Sequence, residues 1–224
     1  MSYMNSSICV PLNTSAEQTA RLIDLQTTFA EVCNALAPVV QQTRCWNRVT
    51  LHHLTYKDLR ERFPKIGSQM VCNAIYSVSR TSRLVFQQPN SPFNVAKNPG
   101  KALPLLRFLP SSPVYFDRHT LSLKDGQLSM YTLDGRMRFQ LDLMPDDQMR
   151  FHHEKLREIV LSNTQQGYQL SFWFSAGSEL NEPSPTEGAA DLPEYLIVMP
   201  GSEIAHANLP SLQTTSEISL AQQA

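Results

Sequence analysis

The stretch from Arg44 to Arg107 concentrates side chains that can neutralise phosphate. It holds eleven lysines and arginines against two acids, Asp58 and Glu61, which gives a net charge of +9. Basic clusters of this kind are typical of nucleic-acid binding, because each neutralised phosphate releases condensed counterions. A solvated helical surface would carry the same charges, so both interpretations stay open at this point.

Two pairs of adjacent histidines raise the question of a metal site. His52 and His53 form one pair, and His152 and His153 form another, followed by Glu154. Neighbouring residues of a helix point about 100° apart, so neither pair converges on one ion without a third ligand from elsewhere. We therefore expect no metal ion and no cofactor, and we expect His52 and His53 to lie beside phosphates or bases.

Other common chemistries lack their sequence signals. The four cysteines, Cys9, Cys33, Cys45 and Cys72, form no CxxC pair, which predicts reduced thiols in a cytoplasmic protein. There is no GxxxxGK[ST], GxGxxG, GxSxG or HExxH motif. No apolar run approaches the ~20 residues of a membrane span.

Hydrophobic periodicity predicts three helices in the first half of the chain. The first begins at Ser15, whose spacing to Gln18 is that of a capping box, and Pro38 ends or bends it. A short helix follows over 56–63. A third begins at Ser68 and turns outward a polar face without acids, made up of Gln69, Asn73, Ser77, Arg80 and Arg83.

A period of two predicts strands on either side of these helices. Residues 6–12 form a short strand, and later strands are separated by the turn signals KDG, LDG and 163–167. The piece at 145–156 is short and helical or irregular. Several short antiparallel strands with glycine turns predict a small barrel or a strongly curved sheet, with Trp173 in its core.

The chain is thus predicted to be α+β and to consist of four parts. Residues 1–12 supply the first barrel strand, 13–103 the inserted helices and 104–176 the barrel. The remainder, 177–224, is predicted as a low-complexity acidic tail that is mostly disordered, apart from a lone strand at YLIVM (195–199). Residues 161–224 hold seven acids and no lysine or arginine.

Three segments, taken in order, resemble a known family. They are CWNRVTLHHLTYKDLRERFPKIGSQMVCNAIYSVSR (45–80), PLLRF (104–108) and YFDRHTLSLKDGQLSMYTLDGRMR (115–138). They are similar to the N-terminal half of TnpB-type transposon-encoded RNA-guided nucleases and type V CRISPR effectors, over about residues 5–175. The resemblance implies an oligonucleotide-binding-like β-barrel, called the wedge domain, with an inserted helical recognition domain. That half of the family holds the guide RNA and reads a short DNA motif beside the target.

The resemblance and the charge pattern together give the candidate nucleic-acid-binding residues. In the family, the first turns of the helix that begins at the SQ element lie near the target motif, which carries over to Ser68, Gln69 and Asn73. A helix N-terminus can bind phosphate, and Gln or Asn can pair with adenine, although exposed helix residues without a ligand would have the same types. The full set is Arg44, Asn47, Arg48, His52, His53, Tyr56, Arg60, Ser68, Gln69, Asn73, Arg80, Arg83 and Arg107.

The catalytic half of the family finds no counterpart in the sequence. That half has an RNase H-like fold with three metal-holding carboxylates and a zinc ribbon, and here only about 48 residues follow the barrel-like region. We therefore expect no catalytic residues and no enzyme activity. The predicted function is nuclease-deficient binding of guide or structured RNA and duplex DNA, alone or with a separately encoded nuclease, and with no membrane partner. The alternatives are a protein-interaction module, acting as a subunit or inhibitor of a nucleoprotein complex, and a decayed fragment.

Overall fold

The computed structural model describes residues 6–124, 126–175 and 195–198, and this part of the chain forms four helices and nine strands. All strand pairs are antiparallel, so the expected α+β class is confirmed. The elements are β1 (Ser6–Pro11), α1 (Ala16–Thr43), α2 (Arg48–Arg62), α3 (Ser68–Phe86), β2 (Leu105–Phe108), β3 (Val114–Phe116), β4 (Leu121–Lys124), β5 (Gln127–Thr132), β6 (Gly135–Gln140), α4 (Pro145–His153), β7 (Lys155–Thr164), β8 (Gly167–Ser175) and β9 (Tyr195–Val198).

Helix α1 begins as predicted but is longer. Ser15 and Gln18 form the reciprocal capping box. The helix does not end at Pro38 but continues to Thr43, because Leu36 and Val40 on either side of the proline are buried against the core. Packing of this stripe offsets the one backbone hydrogen bond that proline removes.

Helix α2 starts eight residues before the predicted short helix at 56–63, and the difference lies in its cap. Asn47 accepts hydrogen bonds through Oδ1 from the backbone N–H groups of Val49 and Thr50, at 3.0 and 3.1 Å. An asparagine in this position satisfies backbone donors that a helix start leaves unpaired. Helix α3 begins at Ser68 as predicted, but its N-cap is Gly67 rather than Ser68.

The described strands form three sheets. The largest has the order β1-β8-β7-β3, and the other two are β2-β9 and β4-β5-β6. Strand β1, before the helices, pairs with β8, which follows all four of them in the chain, and Ser7 lies opposite Trp173. The strand expected at 195–199 forms over Tyr195–Val198, but it is not alone, because it pairs with β2. The rest of the predicted tail lies outside the described residues.

Turn chemistry sets the hairpins. Gly126 and Gly135 take positive φ values of 73° and 99° at the turns that join β4 to β5 and β5 to β6, a conformation that favours glycine. The alternating stretch VYFDRHTLSL (114–123) is divided into β3 and β4 by Asp117. Its Oδ1 accepts hydrogen bonds from the backbone N–H groups of His119 and Thr120, both at 3.0 Å, and so turns the chain.

Helices and sheets share one hydrophobic core. The buried cluster runs from Ile8 on β1 through Phe29 and Val78 on the helices to Phe172 and Phe174 on β8. Trp173 is only half-buried, so the prediction that it fills the core is wrong: alternation along β8 places it on the face opposite its two phenylalanine neighbours. Among the helices described, none has the length and apolarity needed to cross a membrane.

Candidate nucleic-acid interface

A groove of about 470 Å³ lies between the first turns of α2 and α3. Among the described residues its lining includes no acidic side chain, and it is formed by Asn47, Arg48, Val49, His52, Gln69, Cys72 and Ile75. Four of these, Asn47, Arg48, His52 and Gln69, belong to the set predicted from the sequence. Residues separated by about twenty positions in the chain are therefore brought to one concave surface.

Arg48 supplies the permanent positive charge of the groove. It is the first residue of α2, so the Asn47 cap decides where it lies. Its side chain is exposed, and its Cζ atom lies 5.3 Å from the centre of the Tyr76 ring, in a cation–π contact. The guanidinium is thus supported from one side and open to solvent from the other.

His52 lies one turn further along α2, and its ring packs against two other rings. Its ring stacks on Tyr56 with 4.6 Å between ring centres and 19° between ring planes. His53 meets His52 edge to face at 5.8 Å and is itself exposed. The two histidines therefore face different directions, and His52 contributes a half-buried aromatic edge to the groove.

Gln69 lies at the start of α3 and is held in place by a carboxylate. Its Nε2 donates a hydrogen bond of 2.6 Å to Oδ2 of Asp117. This contact uses one amide hydrogen, and a glutamine has a second one and an acceptor oxygen to offer to a ligand. Ser68, next to it, is exposed at the first residue of the helix.

Asn73 does not belong to this exposed surface. It is 5% exposed, and its Nδ2 lies 3.5 Å from Thr120 Oγ1. Ser77 is also buried, at 3%. The prediction that these residues face outward is wrong, because β3 and the loop after it cover this side of α3.

Arg80 is also directed into the fold. Its side chain is 14% exposed, and its Nε lies 3.7 Å from Oε1 of Glu158 on β7. Tyr76 donates a 2.9 Å hydrogen bond to the same oxygen. Burial, and then the charge and hydrogen bond of Glu158, raise the pKa of Tyr76, so this hydroxyl remains protonated. Arg83 is half-buried near this cluster.

The remaining predicted residues lie outside the groove lining. Arg44 ends α1 in the left-handed conformation and donates from Nη1 to the carbonyl of Lys101 at 3.0 Å. Arg60 donates to the carbonyl of Ile66. Arg107 is exposed on β2. Each adds positive charge, but the first two also have structural hydrogen bonds.

Five described residues of the site were not predicted from the sequence: the lining residues Val49, Cys72 and Ile75 and the supporting acids Asp117 and Glu158. Asp117 and Glu158 lie 48 and 82 positions from the partners that they hold, Gln69 and Tyr76, and no local pattern points to them. Cys72 lines the groove, where burial raises the pKa of its thiol and the nearby Arg48 charge opposes that effect. The net direction keeps Cys72 protonated at neutral pH.

Neither a metal arrangement nor a relative was found. Within residues 6–124, 126–175 and 195–198, no three or more His, Cys, Asp or Glu side chains are grouped to hold a metal ion. No protein-family model matches the chain, and a search of curated proteins found no match.

Proposed function

We propose that this protein binds nucleic acid through the groove between α2 and α3 and does not cut it. The observation that carries the proposal is the meeting of Arg48, His52 and Gln69 in one depression, with no acid among the described residues that line it. A guanidinium forms charge-assisted hydrogen bonds with phosphate oxygens, and a glutamine amide can pair with the edge of a base. The two kinds of contact lie side by side.

Exposed positive charge continues beyond the groove. Lys57, Arg62 and Lys65 are exposed along α2 and the turn that follows it. Asp58, one of the two acids between Arg44 and Arg107, is paired with Arg62 at 3.3 Å. The surplus of positive charge would steer a polyanion toward the groove and raise its rate of association.

The order of the elements supports kinship with TnpB-type proteins and type V CRISPR effectors. In the proposed correspondence, α1 to α3 are the recognition insertion and the antiparallel strands are the oligonucleotide-binding-like wedge barrel. The pairing of β1 with β8 supports this assignment, because it returns the strand before the helices to a sheet formed after them. The ligands are then guide or structured RNA and the DNA motif beside a target, bound alone or with a separately encoded nuclease.

Salt-dependent binding tests the proposal. In a mobility-shift assay with structured RNA and with duplex DNA, we expect affinity to fall steeply as salt rises, and Arg48→Ala to weaken it about tenfold with a shallower salt slope. Lys155→Ala is the matched control, because it removes one exposed charge on β7 outside the groove. Absence of binding to either ligand, or equal losses in both variants, would refute the proposal. Strand scission by the purified chain in Mg²⁺ would refute its non-cutting part.

A protein-interaction module remains the second candidate, favoured by one observation. Val49 and Leu54 on α2 are apolar yet 63% and 57% exposed. Exposed apolar side chains on a helix are common at protein interfaces. Recovery of one stoichiometric protein without RNA in a purification of the full chain would favour this candidate over nucleic-acid binding.

A further inference from the structure

The β4-β5-β6 sheet exposes one face that the groove does not explain. Its strands alternate between buried apolar residues and outward residues. The outward positions are polar, basic or aromatic, and none of those in the described strands is acidic. We call this surface the β-face and define it by Lys124, Ser129, Tyr131, Arg136, Arg138 and Gln140.

Positive charge lies on both edges of the β-face. Lys124 is on the outer strand β4, and Arg136 and Arg138 are two residues apart on the other outer strand, β6. Residues two apart in a strand point to the same side at a separation of about 7 Å. Three described acids flank this surface: Asp134 at the β5-β6 turn, where Arg21 lies 4.0 Å from it, Glu17 on α1, and Asp142 two residues after Gln140. None of them is an outward residue of the described strands.

Between these edges lies an exposed aromatic ring. Tyr131, on the central strand β5, is 42% exposed. Its register partner is Arg136, whose Cζ atom lies 4.1 Å from the centre of the ring. The same guanidinium donates from Nη1 to Ser129 Oγ at 3.1 Å. The guanidinium therefore lies over one face of the ring, and the two stacked groups form a platform on whose outer side a base could stack.

The positive face continues into a neighbouring depression. This depression has a volume of about 600 Å³, and its lining includes three arginines, Arg21 from α1 with Arg136 and Arg138, and one acid, Glu17. A strand that crosses the platform would find cationic side chains beyond it. The β-face is three strands wide, roughly 10 Å across, which suits one polynucleotide strand better than a duplex.

We propose that the β-face binds unpaired RNA, with a base stacked on the Tyr131–Arg136 platform and phosphates beside Arg138 and Lys124. Hydroxyl and amide groups between the charges, on Ser129 and Gln140, can donate to and accept from a 2′-hydroxyl, which favours RNA over DNA. This assignment rests on the proposed function, because both name nucleic acid as the ligand. It differs in the surface, which is the β-face and not the groove, and in the form of the ligand, which is unpaired and not structured RNA.

Short unstructured oligonucleotides isolate this surface. Fluorescence anisotropy of the full chain with labelled oligouridine is expected to show salt-dependent binding, about tenfold weaker in Tyr131→Leu and within about twofold of wild type in Tyr131→Phe. Leucine keeps an apolar side chain but cannot stack, so the pair of variants separates stacking from burial. Thermal melts of both variants confirm that the fold is retained.

A covalent readout localises the contact independently of affinity. Ultraviolet crosslinking of oligouridine that contains 4-thiouridine is expected to label the peptide that carries Tyr131. Unchanged oligouridine affinity in Tyr131→Leu, or crosslinks confined to other peptides, would overturn the β-face proposal. Equal affinity for oligodeoxyuridine would overturn the assignment to RNA.

The outcomes also separate this surface from the groove. If binding of structured RNA depends on Arg48 while oligouridine is not bound, the β-face proposal fails and the proposed function stands. If oligouridine binds through Tyr131 while structured RNA and duplex DNA do not bind, the groove fails and the β-face stands.

Discussion

Arg48 lies over the ring of Tyr76 and Arg80 over the ring of Tyr115, and these two rings meet edge to face at 5.7 Å. The roles of the two arginines nevertheless differ, because Arg48 is exposed at the groove whereas Arg80 is largely covered and paired with Glu158. A count of charges along the sequence treats the two alike. Replacing Arg80 and Arg83 would therefore disturb packing along with any binding, so Arg48 is the better probe.

Glu158→Gln tests the structural role of this cluster. The amide keeps an acceptor for Tyr76 but removes the charge that faces Arg80, so we expect the free energy of unfolding to fall by about 2 kcal/mol in chemical denaturation. Asp58→Asn is the control. It breaks the Arg62 pair, whose side chains are 52% and 63% exposed, and should change stability by less than about 0.5 kcal/mol. Similar losses in both would contradict the structural role.

Among single residues, the sequence predicted the side chains that line the groove better than the side chains that hold them in place. Arg48 and His52 were predicted because their types and charge stand out locally, and Gln69 was predicted from the resemblance to TnpB-type proteins. Asn73 and Arg80 were misplaced, because helical periodicity defines a polar face but not whether another element covers it. Here that element is β3 with its following loop, which the chain reaches about forty residues later.

Helix α2 shows how one cap positions a site. Asn47 fixes the first turn, which carries Arg48 and His52. Without this cap, the backbone donors of the first turn would lose their partner. The predicted short helix at 56–63 covers the later part of α2 and misses its first turns.

Substitutions at Asn47 separate stability from ligand binding. Asn47→Ala removes the cap and should lower the free energy of unfolding by about 1 kcal/mol. Asn47→Asp keeps a capping oxygen and should leave stability within about 0.5 kcal/mol, yet it adds a negative charge to the groove and should weaken binding of structured RNA several-fold. Urea unfolding and mobility shifts measure the two effects. If Asn47→Asp bound RNA as tightly as wild type, the ligand would not lie at this groove.

Element types followed from local patterns, whereas some boundaries did not. Glycine turns predicted the hairpins of β4 to β6 and of β7 with β8, because positive φ at a turn is a local requirement. Pro38 was expected to end or bend α1, but a proline costs only one hydrogen bond and a clash, and the buried stripe across it outweighs both. That balance depends on tertiary contacts absent from the local sequence.

Across the whole molecule, Gln26 connects the helices to the sheets. It is 2% exposed on α1, and its Nε2 donates to the carbonyl oxygens of Ser111 and Ser112 at 3.2 and 3.1 Å. Its Oε1 accepts a 2.7 Å hydrogen bond from Tyr168 on β8. A buried amide with both ends satisfied ties three distant segments into one cooperative unit.

Alkaline pH should weaken this junction. Burial raises the pKa of Tyr168 to about 12, whereas an unfolded tyrosine titrates near 10. The unfolded state therefore loses this proton first, and the contribution of Tyr168 to stability, complete below about pH 10, is lost as pH rises toward 12. Urea unfolding at increasing pH should show a smaller loss in Tyr168→Phe than in wild type. The pKa of Tyr76 is also raised, and this residue contributes the same pH dependence in wild type and in Tyr168→Phe. An identical pH dependence would contradict a buried, hydrogen-bonded Tyr168.

The α+β class was predictable because helical and strand periodicities occupy separate stretches of the chain. Strand partners were harder to predict. Nothing in SSICVP specifies Gly167–Ser175 as its neighbour, and the four residues of β9 find β2 from nearly ninety positions away. Such pairings follow from which sheet edges remain open after the local hairpins have formed, and this is a property of the assembled fold.

The pairing of β1 with β8 also dictates an order of events during synthesis. The first strand leaves the ribosome long before residues 167–175, so it must wait without its neighbour while α1, α2 and α3 pack together. During that interval its alternating apolar side chains, including Ile8 and Val10, have no sheet to cover them. Transiently uncovered apolar strands are prone to aggregate, so this interval is the step at which β1 is most exposed to misfolding.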